Sequence, residues 1–268
     1  LAFLTDTHCH IDFEQFDPDR QTMLGRAWQV GIRHLLIPAI DLDSFPRTLP
    51  IAEGDDRIHL AVGIHPNSGV KWESGALDKL RKLAGHARVC AIGEIGLDYY
   101  RDHTPQETQK EMLKIQLELA SEIGKPVILH CRAAFDDLFS ILSEWLEHLP
   151  SSAVCLKRHP GVFHSFGGDE IQAARAVQAG FYLGVNGSIT FKNADNTRSV
   201  MKSAGIDHLL LETDAPFITP VPHRGKRNEP AYIYHINETL STLLNLSPEL
   251  CAKMTYNNAC ELFNWCPN

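Results

Sequence analysis

His8 and His10 stand one residue apart at the end of the apolar run that opens the chain. Alternate side chains of a strand share a face, so the two imidazoles project together and Cys9 projects the other way. Paired imidazoles supply half of the donors that a divalent cation needs. Further donors close four other apolar runs: Glu94, His130, His164 and Asp214. Six N and O donors exceed one tetrahedral site and point to two ions about 3.5–4 Å apart. Glu94, with two carboxylate oxygens, suits a bridge, with His8 and His10 on one ion and His130 and His164 on the other. Asp214 would bind the first ion and take a proton from a water whose pKa the ions lower towards about 7. No thiolate is among these donors, so magnesium, manganese, zinc and cobalt all suit them.

These residues converge only if the elements carrying them do. Strand-like runs are expected at Phe3–Thr7, His34–Pro38, His59–Gly63, Val89–Gly93, Pro126–His130, Val162–His164, Phe181–Val185 and His208–Glu212. Amphipathic stretches lie between them, among them Pro18–Val30, Pro105–Ile123, Phe135–Leu146, Asp169–Gln178 and Asn196–Ser203. Gly31, Gly124, Gly180 and Gly205 sit just past helix ends, where a helix stop is expected. Eight such units predict an α/β chain folded as a (β/α)8 TIM barrel, one domain over residues 1–268. A doubly wound sheet fits less well, because His-Cys-His occupies the place of its Gly-rich loop. Barrel enzymes work at the C-terminal ends of their strands, which is where all six donors fall. His34, His59 and His208 begin strands and should face the other end. His159 competes with His164 for the sixth strand, and His164 follows the better apolar run. Cys9 and Cys131 flank donors and should pack away from the site.

Composition narrows the partners. The chain has 268 residues and a net charge of −8, which argues against holding nucleic acid by bulk electrostatics. Seven cysteines without a CxxC pair suggest a reducing compartment, and the cytoplasm is expected. No apolar stretch reaches the ~18–20 residues of a membrane span, and no leader or stable protein partner is implied. Attraction for an anion must be local. Two divalent ions, two carboxylates and a hydroxide leave about +1 at the site. His65 follows the third strand and is assigned to substrate, as are Arg132 and the cations Arg224, Lys226 and Arg227 after the eighth strand. Tyr99 and Tyr100 are candidates for stacking a base. Glu212 shares Asp214's face and should orient a ligand or water.

The motifs Asp6-Thr7-His8-Cys9-His10, Gly63-Ile64-His65-Pro66, Gly93-Glu94-Ile95-Gly96-Leu97-Asp98, Ile128-Leu129-His130-Cys131-Arg132, Phe163-His164-Ser165-Phe166 and Leu211-Glu212-Thr213-Asp214-Ala215-Pro216 occur in this order. Together with Pro220–Pro230 they resemble the TatD-related metal-dependent deoxyribonucleases, a branch of the amidohydrolase superfamily. The resemblance implies a two-metal barrel that hydrolyses DNA phosphodiesters, 3′-to-5′ and on single strands, with links to DNA repair. It places the metals on His8, His10, Glu94, His130, His164 and Asp214; of these, Glu94 and Asp214 are the expected catalytic residues on the chemistry argued above. Ala133-Ala134 and Gly167-Gly168-Asp169 depart from the family pattern and bear on substrate choice. The alternative is an amidohydrolase acting on a cyclic amide, lactone or aminoacyl ester. Many of those bridge their metals with a carboxylated lysine, where this chain has Glu94.

Overall fold

The computed structural model describes residues 3–73, 75–101 and 103–265. The apolar runs become eight strands: β1 (Leu4–Asp6), β2 (Ile32–Pro38), β3 (Ile58–Val62), β4 (Val89–Asp98), β5 (Val127–Arg132), β6 (Gly161–Phe163), β7 (Tyr182–Val185) and β8 (Leu209–Leu211). They pair in parallel and in chain order. Bonds between the ends of β8 and β1 close the circle: the Thr7 amide donates to Leu211 O at 3.0 Å, and the Asp214 amide to His8 O at 2.9 Å. Asp6 adds two more, accepting from the Thr213 amide at 2.9 Å and its hydroxyl at 2.6 Å. The result is the expected (β/α)8 barrel. Helices form where expected, for example Arg20–Gln29, Gln106–Ile123 and Phe135–Glu147. Gly124 ends the longest of them at φ +67°, a conformation that costs a glycine little. Among the described residues, no helix is long and apolar enough to cross a membrane.

Both faces of the strands are covered, which is why the runs read as continuously apolar. Leu36, Ala61, Ala91, Ile128, Val162, Tyr182 and Leu210 give one buried side chain from each of β2 to β8 to an inner layer. Phe263 and Trp265, at the end of the helix Pro248–Phe263, pack beneath that layer. At this lower end His34 Nδ1 and His59 Nε2 are 2.9 Å apart, and the Trp265 ring stacks on both. His130, His164 and Glu212 lie two residues beyond Ile128, Val162 and Leu210 and so share the inner face, one layer higher.

The fourth strand differs from expectation. It was predicted to stop at Gly93 and instead runs to Asp98. Ile92 pairs with Val127 and Ile95 with Leu129, so three steps on β4 match two on β5. One extra residue reverses the alternation. Ile92, Ile95 and Leu97 all pack in the outer core, leaving Glu94 and Asp98 on the inner face. Gly93 and Gly96 flank this bulged stretch. Here they allow close backbone approach, because a Cβ on Gly96 (φ +145°) would overlap the His130 carbonyl oxygen.

Candidate metal centre

Glu94 is buried at the centre of the upper layer, and its two oxygens face different partners. Oε2 is 3.3 Å from His8 Nε2 and 4.0 Å from His10 Nε2. Oε1 is 2.8 Å from His130 Nδ1, 3.0 Å from His164 Nε2 and 3.4 Å from His65 Nε2. Asp214 Oδ1 joins the first side, 3.6 Å from His10 Nε2 and 3.9 Å from His8 Nε2. Three overlapping groups therefore have donor atoms within 4.8 Å of one another: His8–His10–Glu94, His8–His164–Asp214 and His65–Glu94–His130. Such a density of N and O donors in a buried space fits divalent cations.

The electrostatics agree. Burial works to raise the Glu94 carboxyl, but the imidazoles of His164, His65 and His8 outweigh it and hold the group well below the usual range. The same contest lowers Asp214, chiefly through its bond with His10. His8 is pushed down by burial and by the stacked ring of His164, 3.8 Å away. Against their own burial, His130 is raised by Asp98 and Glu94, and His164 well raised by Glu94 and Glu212. Ligation requires a ring's donor nitrogen to be unprotonated, so a cation would compete with protons for these two rings.

Two carboxylates back the rings. Glu212 Oε1 is 3.6 Å from His164 Nδ1 and accepts the Ser165 amide at 2.5 Å, in space left by the missing side chain of Gly184. Asp98 Oδ2 is 3.2 Å from His130 Nε2 and accepts from the Asn67 side chain at 2.9 Å. Its Oδ1 accepts the Tyr100 and Arg101 amides, both at 3.0 Å. Glu212 was anticipated; Asp98 and Asn67 were not. Asp98 was legible as the second step of alternation from Glu94, once β4 is known to continue.

Above the centre opens a cavity of about 1090 Å³. His10, His65, Glu94, His130, His164 and Asp214 line it, with Arg132 and Arg101 at its mouth. Ala133, Ala134, Gly167 and Gly168 line it as well. Asp169, beside them, caps the helix Glu170–Gln178. The cations of the last loop sit elsewhere. Arg227 donates to both oxygens of Asp19 at 2.8 Å and lies over the Phe16 ring. Arg224 lies 3.8 Å over Phe191. Lys226 is exposed, and none of the three lines the cavity. Carboxylate and aromatic partners distant in sequence hold the two arginines outside the cavity wall. Tyr99 lines the cavity, its hydroxyl donating to Asp137 at 2.7 Å. Cys9 is buried and Cys131 half-buried, both packed in the outer core. His159 is 3.0 Å from Glu261 and stacks on Tyr182, away from the donors.

Parallel barrels place catalysis at this end, and a buried N/O donor cluster there defines a metal-dependent hydrolase. The TatD-related DNase family model matches residues 5–264, and the chain belongs to that family. The metal-dependent hydrolase YabD of Bacillus subtilis is 37% identical, covering 97% of this chain and 98% of YabD. The 3′-5′ ssDNA/RNA exonuclease TatD of Cronobacter sakazakii is 33% identical, over 96% and 97% of the two chains. The crystal structure of the TatD homologue YjjV from Escherichia coli K12 superposes with a TM-score of 0.89 at 36% identity, covering 97% of this chain and 98% of YjjV.

Proposed function

We propose that the protein is a 3′-to-5′ exonuclease that hydrolyses phosphodiester bonds of single-stranded DNA in the cytoplasm, using two divalent ions. The division of the Glu94 oxygens between two sets of imidazoles carries this reading. His8, His10 and Asp214 would hold one ion, His130 and His164 the other, with Glu94 between them. When bound, the ions would polarise the scissile phosphate and lower the pKa of water. Asp214, held as a carboxylate, is placed to accept the proton released on attack. His65 reaches the same space and would contact the phosphate. Arg132 and Arg101 supply positive charge at the mouth of an otherwise acidic protein. The name of the Cronobacter relative supports a nucleic-acid substrate. A part in DNA repair would follow from trimming 3′ ends.

The test uses metal-stripped protein and 5′-labelled single-stranded DNA, with Mg²⁺, Mn²⁺, Co²⁺ or Zn²⁺ restored singly. A ladder shortening from the 3′ end, lost in Asp214→Asn, is expected. No cleavage by protein shown to hold about two ions would overturn the proposal and favour a carbonyl substrate.

A further inference from the structure

The loop after β8 presents to the catalytic cavity a ring that phosphate chemistry does not require. Phe217, three residues past Asp214, is 48% exposed and lines the cavity. Its position is fixed. Its amide donates to Asp214 O at 2.8 Å, and its carbonyl accepts from the side chain of the buried Asn228 at 2.6 Å. Phe13 meets it edge to face, with centroids 6.0 Å apart and planes at 79°. Phe13 in turn stacks on His10 at 5.0 Å and 24°, and Phe217 is itself 6.3 Å from His10. The three rings form a triangle with one corner in the donor cluster.

This arrangement holds an aromatic surface open to water within one nucleotide's reach of the donors. Exposed apolar area gains free energy when covered, and every nucleobase offers a flat face to cover it. Charge is disposed to match. β4 and β5 lie opposite the β8–β1 seam in a ring of eight, and the strand ends there carry Arg101 and Arg132. A strand crossing the centre can thus meet cations on one rim and an aromatic ring on the other.

We infer that Phe217, propped by Phe13, is a stacking platform for the base of a nucleotide adjoining the scissile bond. The inference rests on the phosphodiesterase reading and deepens it by naming what selects the substrate. Inside a duplex neighbouring bases cover both faces and pairing holds each base in the stack, whereas an unpaired base is free to leave it, so a stacking platform favours unpaired strands. Stacking has no preference for sequence, so the selection is for a base rather than for a particular base.

The experiment compares single-stranded oligonucleotides that carry a normal or an abasic residue at the 3′-terminal or the penultimate position. The readout is the ratio of kcat/KM for base-bearing over abasic substrate, measured within one protein preparation so that any loss of folded enzyme cancels. Wild-type protein is expected to favour the base about tenfold at one of the two positions. Phe217→Ala should bring that ratio close to one, and Phe217→Tyr should restore it. A wild-type ratio near one at both positions, or a ratio unchanged in Phe217→Ala, overturns the inference. If wild-type protein cleaves neither substrate, the phosphodiesterase reading fails first and takes this one with it.

Discussion

Asp98 and His130 act as a unit: the carboxylate meets Nε2 at 3.2 Å, and the other ring nitrogen faces Glu94 at 2.8 Å. The first contact fixes which nitrogen is presented to the centre. Asp98 is itself immobilised by three further hydrogen bonds. Asp98→Asn keeps the shape but removes the charge behind the ring. Metal affinity should fall about 10- to 100-fold, read by calorimetric titration with Mn²⁺, because carboxylates behind ligating histidines have effects of that size. An unchanged affinity would reduce Asp98 to a loop anchor.

Metal binding should compete with protons. The Glu94 and Asp98 carboxylates raise the His130 ring, and His10 is raised by Asp214 against its own burial. A raised pKa keeps the proton on the ring at higher pH, so affinity should weaken steadily as pH drops from 8 to 6. At saturation of about 100 times Kd, each ion should add roughly 2.7 kcal/mol of stability, visible as a rise in Tm that EDTA reverses.

Gly96 is the most constrained glycine near the site. At φ +145° it presses against the backbone of His130, where a methyl group meets a carbonyl oxygen that cannot swing aside. Gly96→Ala should cost about 3 kcal/mol in chemical denaturation. What folds should also bind metal more weakly, since the displaced residue carries a donor.

The lower histidines give the opposite pH signature from a histidine whose pKa a carboxylate partner raises. Burial pushes His34 down to about 4, and burial with His34 and Arg88 pushes His59 down to about 3. An unfolded histidine titrates near 6.5. Between those values the unfolded chain binds protons that the native one refuses, so this part of the stability is complete above about pH 6.5 and is lost as pH falls towards 4 and 3. In His59→Gln the proton uptake on acid unfolding should fall by about one, measured from the slope of stability against pH. An unchanged slope would place the acid sensitivity elsewhere.

The convergence of the six candidate donors was legible because each follows an apolar run, and in a barrel the ends of such runs meet. His8 and His10 needed only the period of a strand. What the sequence concealed depends on contacts between distant segments. The extension of β4 is masked by Gly93 and Gly96, which weaken any strand signal, so Asp98 fell outside the expected strand. The partners of the basic loop were hidden for a similar reason. Three cations in four residues look available until Asp19, more than two hundred positions earlier, takes Arg227. Phe217 carried no signal at all, since its meaning comes from Phe13 and His10 across the seam.

That seam also governs when the enzyme can exist. The chain's first donors, His8 and His10, leave β1, whereas its last, Asp214, follows β8 and is tied to His8 by a backbone bond. Thr213 bonds to Asp6 alongside. A chain still being made can build five of the six donors, but it cannot close the circle that sets them in register. Assembly of the donor cluster is therefore an all-or-none property of the finished ring, and a chain that lacks β8 cannot bring Asp214 to the histidines of β1.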